Sequence, residues 1–455
     1  MSARTFYIYT LGCQMNVYDA ERVAAALRGR GWQDSPVVEE ADLVVVHTCA
    51  VRAKAEQKAF SLIGRLEPLK RRRPGILLAV GGCVAQQQGE RLLERAPHVD
   101  LVFGTHAVAR FPALVERRLQ DPRPLVDVVA AEEPAPEGPD EAHPGPSLVS
   151  RYVTIMRGCD NFCAYCVVPH VRGPERSRPA EEVLAEVRAC VAAGAREVVL
   201  LGQNVNSYGA KEGWGGFARL LERVNAVEGL RRIRFTTSHP KDLTDELISA
   251  FGRLEKLCPH IHLPVQSGSD RVLAAMNRRY TRAHYLDKVS KLRDSFPGIA
   301  ITSDLIVGFP GETAEDFAET LSLLRHARFD GVFAFMYSDR PNTPAAGLEP
   351  KVPPGEKRRR LQMVLGMQEE ITSAIHLALV GTRQEVLVEG PARLPRGGGG
   401  GGPAEARWTG RTAANKIVHV RAGNGGGRPL TPGACVAVRI ERAHAHSLSG
   451  VLDPG

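Results

Sequence analysis

The chain has 455 residues, which is enough for two or three domains with their own hydrophobic cores. Its 59 Lys and Arg against 51 Asp and Glu give a net charge of +8, which is compatible with RNA as a partner but does not require it. No apolar run approaches the ~18 residues that span a bilayer, and the N-terminus lacks the apolar stretch of a secretory signal. We therefore expect a cytoplasmic protein with no membrane partner, and its odd number of cysteines favours metal-binding or catalytic thiols over disulfides.

The first part of the chain alternates between strand and helix patterns. Strands are predicted over 6–11, 43–46, 76–80 and 101–103, and helices over 17–30, 51–69 and 107–119. This α/β rhythm predicts a doubly wound parallel sheet with helices on both faces, in a domain over 4–120. The acidic, proline-rich residues 121–147 are predicted to be a linker.

Three cysteines follow three of these strands. Cys13, Cys49 and Cys83 lie about one βαβ unit apart, each just past a predicted strand. Because the carboxyl ends of parallel strands meet at one edge of a sheet, we expect the three thiols to converge. The alternative is that they are three unrelated buried cysteines.

Two further domains follow the linker. Strands predicted over 152–156, 197–201, 233–236, 260–263, 300–305 and 331–336, separated by helix-length segments, indicate a full or partial (β/α) barrel in 148–378. Segments 383–388, 406–412, 416–420 and 434–441 alternate like antiparallel strands and predict a small β-barrel in 379–452. The glycine run at 397–402 is predicted to be a flexible loop.

A second set of cysteines has the spacing Cys159-x3-Cys163-x2-Cys166. It follows the first strand of the central domain, at the end of a barrel where active sites lie. Each set supplies three thiolates to a cubane of four irons, which leaves one iron open for chemistry. A zinc site is the alternative, but it usually takes four ligands in C-x2-C pairs.

The second set resembles a known signature. The segment CDNFCAYC at 159–166, with an aromatic residue before its last cysteine, is similar to the cluster loop of the radical S-adenosylmethionine (SAM) superfamily. The segment TLGCQMN at 10–16 resembles the opening of the methylthiotransferases, in their MiaB-type branch. Similar segments continue along the chain: RGPERSRP (172–179), LGQNVNSY (201–208), HLPVQSGS (262–269), DLIVGFPGE (304–312) and YSDRPNTP (337–344). The last domain, with GRT at 410–412 and SLSG at 447–450, resembles the RNA-binding TRAM module.

The resemblance implies a radical SAM enzyme with two [4Fe–4S] clusters. Cys159, Cys163 and Cys166 would hold the radical cluster, and Cys13, Cys49 and Cys83 an auxiliary cluster that carries the sulfur. The implied reaction adds a methylthio group at C2 of the N6-isopentenylated adenine 3′ to the anticodon of tRNA. The implied partners are that tRNA and an electron donor such as flavodoxin or ferredoxin. We expect a monomer, and the sequence does not identify the sulfur donor.

Other residues are predicted with alternatives. By the same resemblance, Tyr165, Gln203, Asn204 and Gln266 are expected to contact SAM, although turn formation and core packing are alternatives for them. The remaining predictions concern isolated residues and basic runs. Cys190, Cys258 and Cys435 are expected to be small buried apolar residues. Arg411 and Lys416 are expected to contact RNA phosphates or to lie on a solvated barrel face. The basic runs 70–73 and 357–360 are expected to bind RNA or to be solvated helix ends.

The sequence leaves two other functions open. A sister methylthiotransferase would act on threonylcarbamoyl-adenosine in tRNA or on a ribosomal protein, against which the Gln14-Met15-Asn16 signature argues. A non-catalytic iron–sulfur protein that binds RNA is the other, but a structural cluster gains nothing from a missing ligand.

Overall fold

The computed structural model describes residues 3–50, 53–129, 149–392, 407–421 and 430–453. Most of the predicted linker and the glycine run at 397–402 lie outside these ranges. The described residues form three units in the predicted order: a parallel sheet, a partial barrel and a closed β-barrel. No helix in these ranges combines the length and apolarity needed to cross a membrane.

The N-terminal sheet has six described strands, all paired in parallel, in the order β2-β1-β3-β4-β5-β6. Its strands are β1 (Thr5–Thr10), β2 (Gln33–Asp34), β3 (Leu43–Thr48), β4 (Leu77–Gly82), β5 (Leu101–Phe103) and β6 (Leu125–Asp127), and its helices are α1 (Gln14–Arg28), α2 (Ala53–Arg72), α3 (Cys83–Gln88), α4 (Glu90–Arg95) and α5 (Phe111–Gln120). Strand β6 lies inside the segment predicted to be a linker, because its short apolar run completes the edge of the sheet beside β5.

Helices cover both faces of this sheet, as predicted. The alternation of side chains along β3 sends Leu43 and Val45 to one core, with α1 and α5. Val44 and Val46 face the other core, with α2 and α4. Because β3 is buried on both faces, it reads as a continuous apolar run without polar alternation.

The central domain contains all six predicted strands, in two parallel sheets of order β11-β10-β7 and β12-β13-β14. Its strands are β7 (Ser150–Thr154), β8 (Met156–Arg157), β9 (Arg176–Ser177), β10 (Glu197–Leu201), β11 (Arg232–Phe235), β12 (His260–His262), β13 (Ala300–Val307) and β14 (Gly331–Met336). Its helices are α6 (Val168–Arg172), α7 (Ala180–Ala192), α8 (Gly216–Asn225), α9 (Asp245–Arg253), α10 (Asp270–Ala275), α11 (Arg282–Ser295), α12 (Ala314–Ala327) and α13 (Pro354–Leu377). The bridge between Ile233 and Leu257 links β11 to the segment before β12, so the two sheets form a partial barrel.

The C-terminal domain is a closed barrel of five described strands in the order β15-β16-β17-β19-β18. These strands are β15 (Arg383–Pro391), β16 (Arg407–Thr412), β17 (Ile417–Arg421), β18 (Cys435–Ala443) and β19 (Leu448–Leu452). Strand β19 is missing from the prediction, since it is short and contains Gly450. It pairs in parallel with β17, because a closed barrel with an odd number of strands cannot be antiparallel throughout.

Arginines of β11 bind the C-terminal barrel at the amino ends of the central strands. Arg234 donates to the carbonyls of Thr412 and Ala413, each at 2.8 Å, and Arg232 donates to the carbonyl of Arg411 at 2.7 Å. Lys416 is buried and pairs with Asp330 at 2.6 Å. The prediction of an RNA-contacting or solvated Lys416 is therefore wrong, since its charge serves the contact between domains.

Candidate active site

Cys13, Cys49 and Cys83, here called the auxiliary triad, lie at the carboxyl ends of the neighbouring strands β1, β3 and β4. Two glycines allow these strand ends to approach one another. Gly12 has a φ of +117°, and a Cβ there would fall 2.3 Å from the Cβ of Cys49. Gly82 has a φ of +91°, and a Cβ there would fall 2.4 Å from the carbonyl oxygen of Thr48. No other residue type fits either position.

Thiol acidity shows how closely the auxiliary triad converges. A hydrogen bond with Cys49 lowers the pKa of Cys13 to about 6, with help from the charge of Arg172. Burial raises the pKa of Cys83, while Arg172 works against that rise and Cys13 adds to it. The three sulfurs therefore interact, as their positions after the strands predict, and the charge of Arg172 reaches two of them.

Cys159, Cys163 and Cys166, here called the radical triad, lie in the loop between β8 and α6. The loop is held from outside by backbone contacts. The amide of Cys159 donates to the carbonyl of Gly173 at 3.2 Å, and the amide of Ala164 donates to the carbonyl of Met276 at 2.9 Å. The side-chain amide of Asn277 donates to the carbonyl of Phe162 at 3.0 Å. Together these contacts keep the three thiols on one side of a short segment.

Burial dominates the acidity of Cys159 and Cys166 in the radical triad. It raises the pKa of Cys159 to about 11, and with the neighbouring Cys163 it raises the pKa of Cys166 to about 12. Negative charge on Cys163 opposes ionisation of Cys159 and Cys166, so the three sulfurs lie close together. Such buried thiols need a strong positive partner before they become thiolates.

One such partner, Arg278, is absent from the sequence predictions. This buried residue donates to the sulfur of Cys163 at 3.4 Å and to the hydroxyl of Tyr165 at 3.5 Å. Its other guanidinium nitrogens donate to the carbonyl of Pro264 at 2.7 Å and to the hydroxyl of Tyr280 at 2.9 Å. Burial opposes its charge, but Tyr165, Tyr280 and Cys163 keep the pKa of Arg278 well above its ordinary value. Its only sequence signal is the pair of arginines at 278–279, which no spacing connects to the cysteines.

A buried ion-pair network links α1 to the elements on either side of the radical triad. Asp19 on α1 accepts from Arg172 of α6 at 2.7 Å and from Arg157 of β8 at 3.2 Å. Arg172 also donates to the side-chain oxygen of Asn16 at 3.0 Å. Asn16 in turn donates to the carbonyls of Leu11 and Thr48, at the ends of β1 and β3. The N-terminal and central domains are therefore linked directly beside the auxiliary triad.

The four predicted SAM contacts line the same end of the partial barrel. Gln203 accepts a hydrogen bond from the amide of Gly158, so it supports the cluster loop. Asn204 is buried and donates to Asp242 at 2.7 Å, while its side-chain oxygen has no partner among the described residues. Gln266 has a φ of +72° and forms a backbone bridge to β13. Tyr165 packs beside Ala164 and Phe309 and contacts Arg278.

Comparison with known proteins identifies the family. Residues 5–104 match the family model described as uncharacterized protein family UPF0004, and residues 153–324 match the Radical SAM superfamily. The chain is 51% identical to the tRNA-2-methylthio-N(6)-dimethylallyladenosine synthase of Desulfosudis oleivorans, over 98% of this chain and 96% of that protein. It is also 51% identical to the synthase of the same name from Geobacter metallireducens, over 99% and 98%. The chain belongs to this family.

As a family member, the chain is a radical SAM methylthiotransferase, and [4Fe–4S] clusters and SAM are its cofactors. A solved structure agrees with the fold. The radical SAM methyltransferase TsrM from Kitasatospora setae is similar with a TM-score of 0.57 and 14% identity, over 76% of this chain and 77% of that one. At that identity the likeness concerns the fold alone.

Both triads of this methylthiotransferase fit a cluster with three thiolate ligands. Among the residues that the structure describes, no three Cys, His, Asp or Glu side chains lie close enough to share one metal ion. Each liganded iron of a cubane takes its own thiolate, so the sulfurs surround the cluster and do not converge on one ion. The electrostatic contacts of Cys83 with Cys13, and of Cys166 with Cys163 and Cys159, agree with that arrangement.

The polar groups near Asn204 fit a polar ligand. Besides the Asn204 oxygen, the hydroxyl of Ser238 and Nε2 of His239 are buried and have no hydrogen-bond partner among the described residues. Burial, with the nearby charges of Arg278 and Lys241, lowers the pKa of His239 to about 2, so the imidazole is neutral. Buried polar atoms without partners at the carboxyl ends of β10 and β11 suit the amino and hydroxyl groups of SAM.

Proposed function

We propose that this enzyme adds a methylthio group at C2 of N6-isopentenyladenosine, 3′ to the anticodon of tRNA. The observation that carries the proposal is the 51% identity over nearly the whole chain to synthases named for this product. The two triads add support, because sulfur insertion at an unactivated carbon needs one site that starts the reaction and another that delivers sulfur.

Each triad has a separate role in this proposal. Cys159, Cys163 and Cys166 would hold the radical cluster, and Cys13, Cys49 and Cys83 the auxiliary cluster. When bound, the clusters and SAM supply the electron, the radical that removes the C2 hydrogen, the methyl group and the sulfur.

Side chains around the triads prepare the site. Arg278 places a fixed positive charge beside Cys163. Gln203 fixes the backbone at Gly158, where the cluster loop begins. Asn204, Gln266 and Tyr165 are proposed to bind SAM, with the free Asn204 oxygen as an acceptor for one of its polar groups.

The substrate, the electron donor, the oligomeric state and the cellular location of the enzyme are proposed on the same basis. The substrate is tRNA that carries the isopentenylated adenosine, and the C-terminal barrel is the RNA-binding module. Flavodoxin or ferredoxin would supply electrons to a monomeric enzyme in the cytoplasm.

An assay on a defined substrate tests the proposal. The reconstituted enzyme would be incubated anaerobically with SAM, dithionite and an anticodon stem-loop that carries isopentenyladenosine. Mass spectrometry of the nucleosides is expected to show 2-methylthio-isopentenyladenosine and 5′-deoxyadenosine. A matched stem-loop with threonylcarbamoyl-adenosine is expected to remain unmodified. Modification of that control alone would overturn the proposal in favour of a sister enzyme, and absence of 5′-deoxyadenosine would exclude the radical reaction.

A further inference from the structure

Arg172 belongs to the central domain, yet its guanidinium faces the auxiliary triad of the N-terminal domain. It is buried, with 5% of its surface exposed. One nitrogen donates to Asn16, which itself holds the backbone at Leu11 and Thr48 beside Cys13 and Cys49. Its charge acts on Cys13, and both its charge and a hydrogen bond act on Cys83.

Asp19 fixes the position of this guanidinium. The carboxylate is fully buried and accepts from Arg172 at 2.7 Å. Arg157, on β8, approaches the same carboxylate at 3.2 Å, so two cations of the central domain share one anion of the N-terminal domain. Two cations and one anion together leave a net positive charge beside the auxiliary triad.

Other ionisable groups near the triad have carboxylate neighbours. Arg340 acts on Cys49, but it lies 3.5 Å from Glu56 on α2. His47 approaches Asp19 at 3.8 Å, and it is buried. Arg172 thus donates hydrogen bonds to residues beside the auxiliary thiols.

We propose that Arg172 is a positioning residue that completes the auxiliary site from the central domain. Its guanidinium balances the negative charge of the auxiliary cluster, and the same side chain binds the domain that carries the radical triad. The auxiliary site is then complete only when the two domains are docked. This inference rests on the proposed function, since it assumes that Cys13, Cys49 and Cys83 hold a cluster.

The charge balance predicts a direction for the reduction potential. Three thiolates make the oxidised site anionic, and reduction adds one more electron. A nearby cation stabilises the reduced form more than the oxidised form, so it raises the potential. Loss of a group that supports metal ligands from outside also weakens binding by roughly 10- to 100-fold.

The test uses the full chain with Cys159, Cys163 and Cys166 changed to Ala, so that signals come from the auxiliary site alone. Arg172→Gln, Arg172→Lys and Asp19→Asn would be compared in this background after anaerobic reconstitution. Arg188→Gln, on the exposed side of α7, is the matched control. The measurements are iron and sulfide per chain, the rate of iron loss to a chelator, and the potential by redox titration followed by EPR. Circular dichroism reports folding.

Arg172→Gln is expected to shift the potential in the negative direction and to lose iron at least ~10-fold faster. Arg172→Lys keeps the charge, so its potential is expected to stay near that of the parent. Asp19→Asn removes the carboxylate that pairs with the guanidinium, so its reduction potential is expected to shift in the positive direction. If Arg172→Gln does not fold, the potential of Asp19→Asn tests the inference. A potential and iron-loss rate equal to the parent in folded Arg172→Gln, or an unchanged potential in Asp19→Asn, would overturn the inference. A parent that binds no cluster at all would instead refute the ligand assignment of the proposed function.

Discussion

Each triad contains three thiols, but different features of the chain bring those thiols together. The auxiliary triad comes from three strand ends that are distant in sequence, and its closeness depends on the bare backbone at Gly12 and Gly82. The radical triad comes from one short loop, and its shape depends on side chains of other elements such as Asn277 and Arg278. The auxiliary triad should therefore be sensitive to changes in the backbone, and the radical triad to changes in the side chains around it.

Removing one ligand from each triad should have the largest effect. Cys163→Ala is expected to abolish 5′-deoxyadenosine formation, because the radical triad then holds only two thiols. Cys49→Ala is expected to keep part of that activity but to lose the methylthio product. Chromatography with mass spectrometry measures both products in one reaction. Equal loss of both products in each variant would show that the two sites do not work independently.

Backbone crowding should affect the auxiliary triad alone. In Gly12→Ala the new Cβ would collide with Cys49, and the strained φ alone costs ~1–3 kcal/mol. The variant is expected to lose auxiliary iron while the radical triad still supports 5′-deoxyadenosine formation. Gly64→Ala on α2 is the control, since its Cβ meets open space and should be neutral or stabilising by ~0.5–1 kcal/mol. Iron content of Gly12→Ala equal to that of the control would contradict the crowding argument.

Weakening the contact between the central domain and the C-terminal barrel should affect neither triad. Lys416→Met removes the cation that pairs with Asp330, and we expect a loss of ~3 kcal/mol, the low end for breaking a buried pair. Asp330 keeps some solvent contact and still accepts from the backbone amide of Ile301 at 2.9 Å. Thermal unfolding measures this change, and iron content should stay constant. Arg383→Met removes an exposed pair with Asp453 and should cost ~0.5 kcal/mol or less. Loss of iron in Lys416→Met would show that the barrel also supports a triad.

The smallest expected effect concerns the side chains that hold the radical loop. Asn277→Ala removes the donor to Phe162 and places Ala at a φ of +56°, which together should cost ~1–2 kcal/mol. Release of iron from the radical triad to a chelator should become faster. Asn415→Ala in the C-terminal barrel has the same backbone demand at a φ of +63° but lies away from both triads. Equal release rates in the two variants would mean that Asn277 does not hold the loop.

Sequence patterns were sufficient to predict the cysteine positions that follow from the order of strands and helices. The cysteines after β1, β3 and β4 were predicted to converge because parallel strands align their carboxyl ends, and the contact between Cys13 and Cys49 agrees. The link from Arg172 to Asp19 was not predictable, because 153 residues separate the partners and neither residue type indicates the other. The prediction for Lys416 is wrong for a related reason: a basic residue in a domain expected to bind RNA is predicted to be exposed until its partner Asp330 is known.

The docking of the C-terminal barrel has a practical consequence for studies of tRNA binding. Arg232 and Arg234 direct their guanidinium groups to carbonyl oxygens at 411–413. Deleting the barrel would remove the carbonyl acceptors of two buried cations, and Arg234 would keep only its ion pair with Glu197. The damage would therefore reach β11 and the sheet beside it. A shortened chain that loses tRNA affinity would therefore mix the loss of the proposed RNA-binding surface with partial unfolding of the catalytic domain. Substitutions on the outer surface of the intact barrel separate these two effects.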